Sequence, residues 1–499
     1  MDRRAGFAFL VAGVATQLAW ATPEVHGQEL PSALHPVEPS IDDLGAKYIE
    51  APVAESTAAP VKVEEDPKYL ITEIRVNGNR RTRESLILAN IGLSPGAVVA
   101  VDDPKLSENR RRLLALGLFL DVELTLTKGA TRGDAVLTVK VTERGSLIVD
   151  DIFVGKSEAT SWWAGVGITE TNLLGRGIRL GGGVLFSARP EVDGAESAAA
   201  GRLNLLMPLD GMGATWIRTR LLASRSSEFF SRQVSFKGSE PTEFVASRLN
   251  RMGADLAFGL PLSPTTRMWF GGRGEYLDAD LPLALSGIDY KIDAGNSFLS
   301  ALVIGIEIDT TSHRPFPRHG YRLMVDLDNS LPVIGSSYTY HRTNINAQRF
   351  FRVANNHAIA LRAFAGAIVG EAPYIDQYFV GDLNPLLPSR MMGVNTSTRP
   401  SHNWLSSSIN DTRYGNYAGR LTIEYAIPLW RAPGPMYAAD AFVSAGVFSL
   451  AQTADLRTRG RSGLDGIPIE PIGDVGVRVD TAFGVFLLSV GNAVGRMPF

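Results

Sequence analysis

The side chains of this sequence that could do chemistry are strung along alternating runs and are not gathered into motifs. "LVIGIEID" sets Leu302, Ile304, Ile306 and Ile308 opposite Glu307 and Asp309. "RLTIEYAIPL" sets Leu421, Ile423, Tyr425, Ile427 and Leu429 opposite Thr422, Glu424 and Ala426. "TWIRTRLL" and "YRLMVDLD" repeat the pattern, with Arg218 and Arg220 in one and Arg322, Asp326 and Asp328 in the other. Successive strand residues point to opposite faces, so each run carries one apolar face and one mostly polar face. Charged faces of this kind hold water, ions or each other. The 7 histidines are scattered, and there are 0 cysteines, which excludes disulfides and thiolate metal sites. His313 and His319 flank "RPFPR", which reads as a turn between strands. No G-x-S-x-G elbow, Walker loop or H-E-x-x-H is present, and "GGRGEY" is a glycine-rich strand without the features of a phosphate cradle. The expectation is a protein that is not an enzyme and uses no cofactor or metal.

The elements that carry these faces follow an export signal. Arg3 and Arg4 precede an apolar run from Ala5 to Ala15 and then Ala19-Trp20-Ala21, the order of a secretory signal peptide over residues 1–21. No later stretch reaches the ~18 unbroken apolar residues of a membrane helix. Residues 22–67 hold 7 prolines, 10 acidic residues and 2 lysines, the composition of a disordered acidic linker. At 499 residues the chain exceeds one ordinary domain, and a net charge of −3 gives no general case for nucleic acid.

Residues 68–145 predict one small α+β domain in the order β-α-α-β-β. "YLITEIRVNGN" is a strand and turn, "TRESLILANIGL" a helix capped by Thr82, and "VDDPKLSENRRRLLALGLF" a second helix. Asp102 or Asp103 caps the latter, Pro104 fits its first turn and Gly117 ends it. "FLDVELTL" and "DAVLTVKV" alternate as strands. With 13 basic and 9 acidic residues the domain carries a net charge of +4, read as a solvated face.

From residue 146 to 499 about fifteen alternating runs follow, separated by turns that are tight and long by turns. A soluble sandwich would need two apolar inner faces, yet the polar faces here carry Arg, Asp and Glu in strand after strand. One lipid-facing apolar band around a wet, charged lumen accounts for the pattern, so the expectation is an all-β transmembrane antiparallel barrel of about 15–16 strands. Its place would be the outer membrane of a Gram-negative cell, with the small domain in the periplasm. Near the start, "SLIVDDIFVG" places Asp150 beside Asp151, and alternation sends one of them toward lipid. Near the end, Asn492, Gly495 and Pro498 weaken ladder pairing. A weak seam between first and last strands is therefore expected, marked by Asp150, Asp151, Asn492 and Phe499.

The whole resembles the BamA/TamA superfamily of outer-membrane assembly and translocation proteins. The small domain resembles a single POTRA domain, including "IRVNGNRRT" and "LFLDVELTLT". "GVGITETNLLGRGIRLGGGV" resembles the family's second and third barrel strands with their N-x-L-G-x-G turn. "IDTTSHRPFPRHGYRL" resembles its D-T-R…P-x-x-G-x-x-L segment, and "AFVSAGVF" its F-x-D-A-G strand. The resemblance covers about residues 68–499. It implies about sixteen strands and a long extracellular loop, here about 370–417, folded into the lumen.

The family's loop carries V-R-G-F/Y. Its counterpart is "PSRMMGV", with Arg390 as latch arginine and Gly393 as turn glycine, although Met391 and Met392 separate them. Arg413 in "DTRYGN" is a rival. Glu424 and Asp440 are the expected lumen acceptors, Asp440 because the family's aspartate is Ser444 here. Family members usually continue into a last strand with a terminal aromatic. Phe499 is aromatic but no full strand follows Gly495, so either the product is short or its last strand is atypical.

The resemblance implies an insertase or translocase for unfolded outer-membrane or secreted client proteins. It would work among outer-membrane lipids, with a periplasm-spanning partner protein as a further candidate. A passive porin or structural barrel, or a secretion transporter dedicated to one partner, are the alternatives. Two-partner transporters typically carry two POTRA domains and a plug helix, and the central assembly machine several POTRA domains; one fits here.

Overall fold

The computed structural model describes residues 67–493 apart from 210–214, 232–243, 264, 283–290, 312–315, 384–389, 399–413, 433–435 and 454–468. The small domain comprises β1 (Lys68–Asn77), α1 (Glu84–Ala89), β2 (Val98–Ala100), α2 (Pro104–Ala115), β3 (Phe119–Lys128) and β4 (Asp134–Glu143). Its sheet runs β2-β1-β4-β3, with β1 and β4 parallel. The observed order is thus β-α-β-α-β-β. β2 was not expected, because three residues are too few to show a period. Ile71, Ile87, Leu113, Val122, Leu137 and Val139 pack as the core between sheet and helices.

Local chemistry explains the helix ends. Asp103 Oδ1 accepts the Lys105 N–H at 2.9 Å, Pro104 opens α2, and Gly117 beyond its end has φ +71°. For α1 the expected cap is corrected: Arg83 occupies the N-cap position and its side chain makes no cap bond. The Thr82 hydroxyl is engaged elsewhere, accepting from Asn172 Nδ2 at 2.9 Å.

The wall begins with β5 (Leu147–Gly155), β6 (Trp163–Leu173), β7 (Ile178–Ser187), β8 (Ala199–Pro208) and β9 (Trp216–Ser231). It continues through β10 (Phe244–Pro261), β11 (Thr266–Asp280), β12 (Gly295–Asp309), β13 (Gly320–Ser330), β14 (Thr339–Arg352) and β15 (Ala358–Glu371). A long loop then carries β16 (Tyr378–Phe379), α3 (Val380–Leu383), β17 (Arg390–Met391), β18 (Val394–Asn395) and β19 (Tyr414–Gly415). β20 (Tyr417–Arg431), β21 (Met436–Ala451), β22 (Glu470–Thr481) and β23 (Gly484–Ala493) follow. β5–β15 and β20–β23 form one 15-stranded sheet in chain order, and successive strands are antiparallel.

The sheet is apolar outside and charged inside. Leu302 is 48% exposed while Glu307 on the same strand is 5% exposed. In "YRLMVDLD", Tyr321 and Leu327 are exposed and Asp328 is buried. A soluble sheet would reverse those values. This arrangement suits a wall in lipid, where a closed barrel satisfies backbone groups between strands.

Candidate functional site in the lumen and at the seam

Inward-facing charges pair across strands. Arg362 donates to Glu424 at 2.8 and 3.2 Å, and Arg478 donates to Glu424 at 2.9 Å. Arg318 Nη2 donates to both oxygens of Asp440, at 2.9 and 3.0 Å, and Arg431 donates to it as well. Burying a carboxylate costs several kcal/mol unless it is paired, and each of these two has more than one guanidinium. Glu424 and Asp440 do lie on adjacent inward faces. Their partners here come from β15, the turn before β13, β20 and β22. The side chain of Arg390, and all of Arg413, lie outside the described residues.

Arg318 reaches Asp440 from the periplasmic turn between β12 and β13. The Phe316 ring travels with it and lies 5.6 Å from the Arg431 guanidinium carbon and 5.0 Å from that of Arg478. Phe316 and Arg318 therefore form a strap that ties this side of the wall to β21 at the periplasmic end.

The described part of the long loop packs against the inner wall of the extracellular half. Tyr374, Phe379 and Tyr414 pack with Leu249, Leu277, Leu299, Tyr340 and Ile368 of the wall in one buried cluster. Beneath it Asp376 accepts from Arg273 Nη1 at 3.0 Å and from the Tyr340 hydroxyl, with Arg342 3.8 Å away. Tyr378 lies on Gly366, where an added Cβ would come within 2.3 Å of the ring, and its hydroxyl donates to Asn344 Oδ1 at 2.8 Å. Further along, β17 and β18 form a hairpin, with Arg390 opposite Asn395. Its two turn residues, Met392 and Gly393, have φ +48° and +80°. Positive φ at both central positions is the two-residue hairpin geometry that favours glycine. Asn395 Nδ2 donates to Glu228 at 2.9 Å, and Glu158 accepts from Ser397 Oγ at 2.7 Å and Thr398 N at 2.8 Å.

At the seam, β5 and β23 share no ladder among the described residues. One backbone hydrogen bond, Val149 N–H to Phe483 O at 2.8 Å, joins their periplasmic ends. Of the two aspartates expected to divide between lipid and lumen, Asp150 faces the lumen, and the side chain of Asp151 lies outside the described residues. A register shift between Val149 and Asp151 leaves Asp150 as an extra residue, and its carboxylate accepts from Thr169 Oγ1 on the lumen face. Asp151 pairs through its backbone with Gly167, and Asn492 with Gly473. Phe499 lies outside the described residues.

The small domain spans the seam from below. Arg83 N–H donates to Gly175 O at 2.9 Å in the turn between β6 and β7. On the other side Arg144 donates to Asp480 of β22. Glu143 holds the loop that makes the first contact, accepting from the backbone N–H groups of Arg80, Arg81 and Thr82 at 2.7–3.1 Å.

Several of these residues escaped the sequence reading. Asp474 sits directly opposite Ser444 and accepts its hydroxyl, so a carboxylate stands beside the family's aspartate position on the next strand. It was legible, being on the same alternate face as Arg478 and Asp480. Arg273, Arg342 and Asp376 had no signal beyond their faces, because alternation does not reveal register. Arg318 lies in a turn, where no period applies.

This architecture has relatives. A profile of the Omp85 superfamily domain matches residues 172–498, and one of the POTRA type, described as surface antigen variable number repeat, matches residues 69–144. The outer membrane protein assembly factor BamA of Neisseria meningitidis is 23% identical over 385 residues, covering 71% of this chain and 45% of that protein. BamA of Nitratidesulfovibrio vulgaris is 23% identical over 328 residues, covering 64% and 37%. The chain thus spans less than half the length of these assembly factors. Among solved structures, BamA from Haemophilus ducreyi lacking POTRA domains 1–3 superposes with TM-score 0.51 at 15% identity, covering 86% of this chain and 82% of that one. CdiB from Escherichia coli superposes with TM-score 0.56 at 12% identity, covering 85% and 73%. At those identities the superpositions speak to fold alone. The superfamily profile covers well over half of the sequence, and the chain belongs to the Omp85 superfamily of outer-membrane proteins, with its barrel in the outer membrane and its POTRA domain in the periplasm.

Proposed function

We propose that the protein assembles or secretes β-rich client proteins at the outer membrane, taking a client strand on an edge of the POTRA sheet and passing it on at the seam of the barrel. The observation that carries this reading is the seam. Neighbouring wall strands elsewhere pair in long ladders, such as the 16 partners joining β9 and β10. Among the described residues, β5 and β23 have unpaired edges above one bond at the periplasmic end. Unpaired backbone in lipid costs several kcal/mol per group and is a template for an added strand. The exposed edges of the POTRA sheet are β2 and β3. The lumen's contents also weigh against a passive porin, since the described loop side chains pack against its inner wall and the Phe316–Arg318 strap reaches in to Asp440 of β21.

The chain has 0 native cysteines, so paired thiols can be introduced on a clean background. Val149→Cys with Phe483→Cys, joined by a short bifunctional thiol reagent, should stop client assembly while the barrel stays folded. Normal assembly by fully joined protein would overturn lateral opening.

A further inference from the structure

We propose that Arg80, Arg83, Arg176 and Leu174 form a ledge that binds anionic phospholipid headgroups of the periplasmic leaflet, immediately beside the seam. The inference needs the outer-membrane location only, and is independent of how clients are handled.

The position comes from the wall. The turn Leu174–Gly177 joins β6 and β7, and Leu173–Ile178 is the last pair of their ladder. Ile178 lies on the same alternate face of β7 as Val184 and Phe186, which are exposed to lipid. The turn therefore begins where the apolar band ends, at the height of headgroups. At its tip Leu174 has φ +57° and is 67% exposed. Asparagine or glycine would adopt that backbone at lower cost. The leucine side chain is not buried in the fold, which leaves it free to enter the leaflet.

The charge comes from below and is held rigidly. Arg83 Nε donates to Leu174 O at 3.0 Å, in addition to its backbone bond to Gly175. The fit is close: a Cβ on Gly175 would come within 2.2 Å of Arg81 O. Arg80 and Arg176 are exposed and have no side-chain partner among the described residues. Arg81, also exposed, touches Ser146 Oγ at 3.3 Å. The carboxylates nearby are Glu84, exposed on α1, Glu143, whose oxygens are occupied by the backbone of this same arginine loop, and Glu170, whose oxygens accept from Ser146 Oγ and Asn172 N. Four arginines thus face three carboxylates, two of them already engaged. A guanidinium matches phosphate geometry, and a basic cluster at the foot of an apolar band is the pattern that recruits anionic lipid. An unfolded peptide could meet the same charges, but it would give no account of a leucine placed in line with the band.

The test uses the full mature chain reconstituted in phosphatidylcholine bilayers doped with phosphatidylglycerol. Retained lipid is counted by native mass spectrometry after transfer to detergent. Wild type should enrich phosphatidylglycerol over phosphatidylcholine, and more weakly as salt is raised. Arg80→Gln with Arg176→Gln should lose that enrichment with the barrel still folded. Leu174→Gly, which suits the same φ, should reduce lipid retention with the enrichment ratio kept. Arg132→Gln, exposed on the far β3–β4 turn, should change nothing. Enrichment that persists in the double variant, or that falls equally in Arg132→Gln, would overturn the proposal. So would a double variant that loses binding of an unfolded client peptide and keeps its lipid, because the ledge would then be a peptide surface.

Discussion

Asp376 accepts a hydrogen bond from Arg273 at 3.0 Å, joining the base of the long loop to the middle of β11. Arg273 Nη2 also donates to the Tyr340 hydroxyl at 3.0 Å, which in turn donates to Asp376. The family resemblance led us to expect a loop arginine seeking a wall carboxylate. This contact has the opposite polarity, with the carboxylate on the loop and the guanidinium groups on the wall.

Asp376→Ala should therefore release the loop base. The loss should be about 1–3 kcal/mol, because Arg273 and Arg342 lose the carboxylate they share but keep Asp328, and Arg273 keeps Glu275 at 3.6 Å. The expected result is faster cleavage of the long loop by protease added from the extracellular side, together with raised single-channel conductance. Unchanged cleavage would mean that the aromatic cluster holds the loop without the charge.

The strap at the other end should respond separately. Arg318→Ala leaves Asp440 with Arg431 and with Arg478 at 3.6 Å, so the loss should again be about 1–3 kcal/mol. Conductance should rise while loop cleavage stays as in wild type. If Arg318→Ala also accelerates loop cleavage, the two ends of the lumen are one cooperative unit.

Glu143 offers a pH test outside the membrane. Burial works to raise its carboxyl, but the bonds from Thr82, Arg81 and Arg80 outweigh that and hold it below the ordinary 4.5. A depressed folded value means stability that is present above about 4.5 and is lost as pH falls through the folded value. Glu143→Gln should loosen the loop that docks the POTRA domain by about 1 kcal/mol at neutral pH, the site being partly open to solvent. Proteolysis of the domain junction should show the difference at pH 7 and lose it in acid. An effect that is constant across that range would remove the charge from the explanation.

What could be read from the sequence divides along physical lines. The barrel was legible because a period of two persists through each strand, and the inward position of Glu307, Glu424 and Asp440 follows from it. Their partners were not, since alternation assigns a face and leaves register open. Asp150 shows a second limit. A single extra residue changes parity, and the bulge at Asp150 leaves no mark in the pattern of residue types, so alternation could not say which of Asp150 and Asp151 faces the lumen. The lost Thr82 cap has a related cause: a local rule was overridden by Asn172, which is 90 residues away in sequence. β2 was too short to carry any pattern at all.

The strand count sets an arithmetic condition on whatever completes the wall. β5 and β23 both climb from the periplasmic end, because the 15 wall strands among the described residues, in strict alternation, begin and end in the same direction. Direct closure between them would be parallel, with slanted and slightly weaker pairing. An inserted pair of strands would still leave one parallel junction. A single descending strand would pair antiparallel on both sides, and so would any odd number. The gap therefore discriminates by parity as well as by sequence: a segment that enters it must run from the outer surface toward the periplasm, or be joined by others until the total is even.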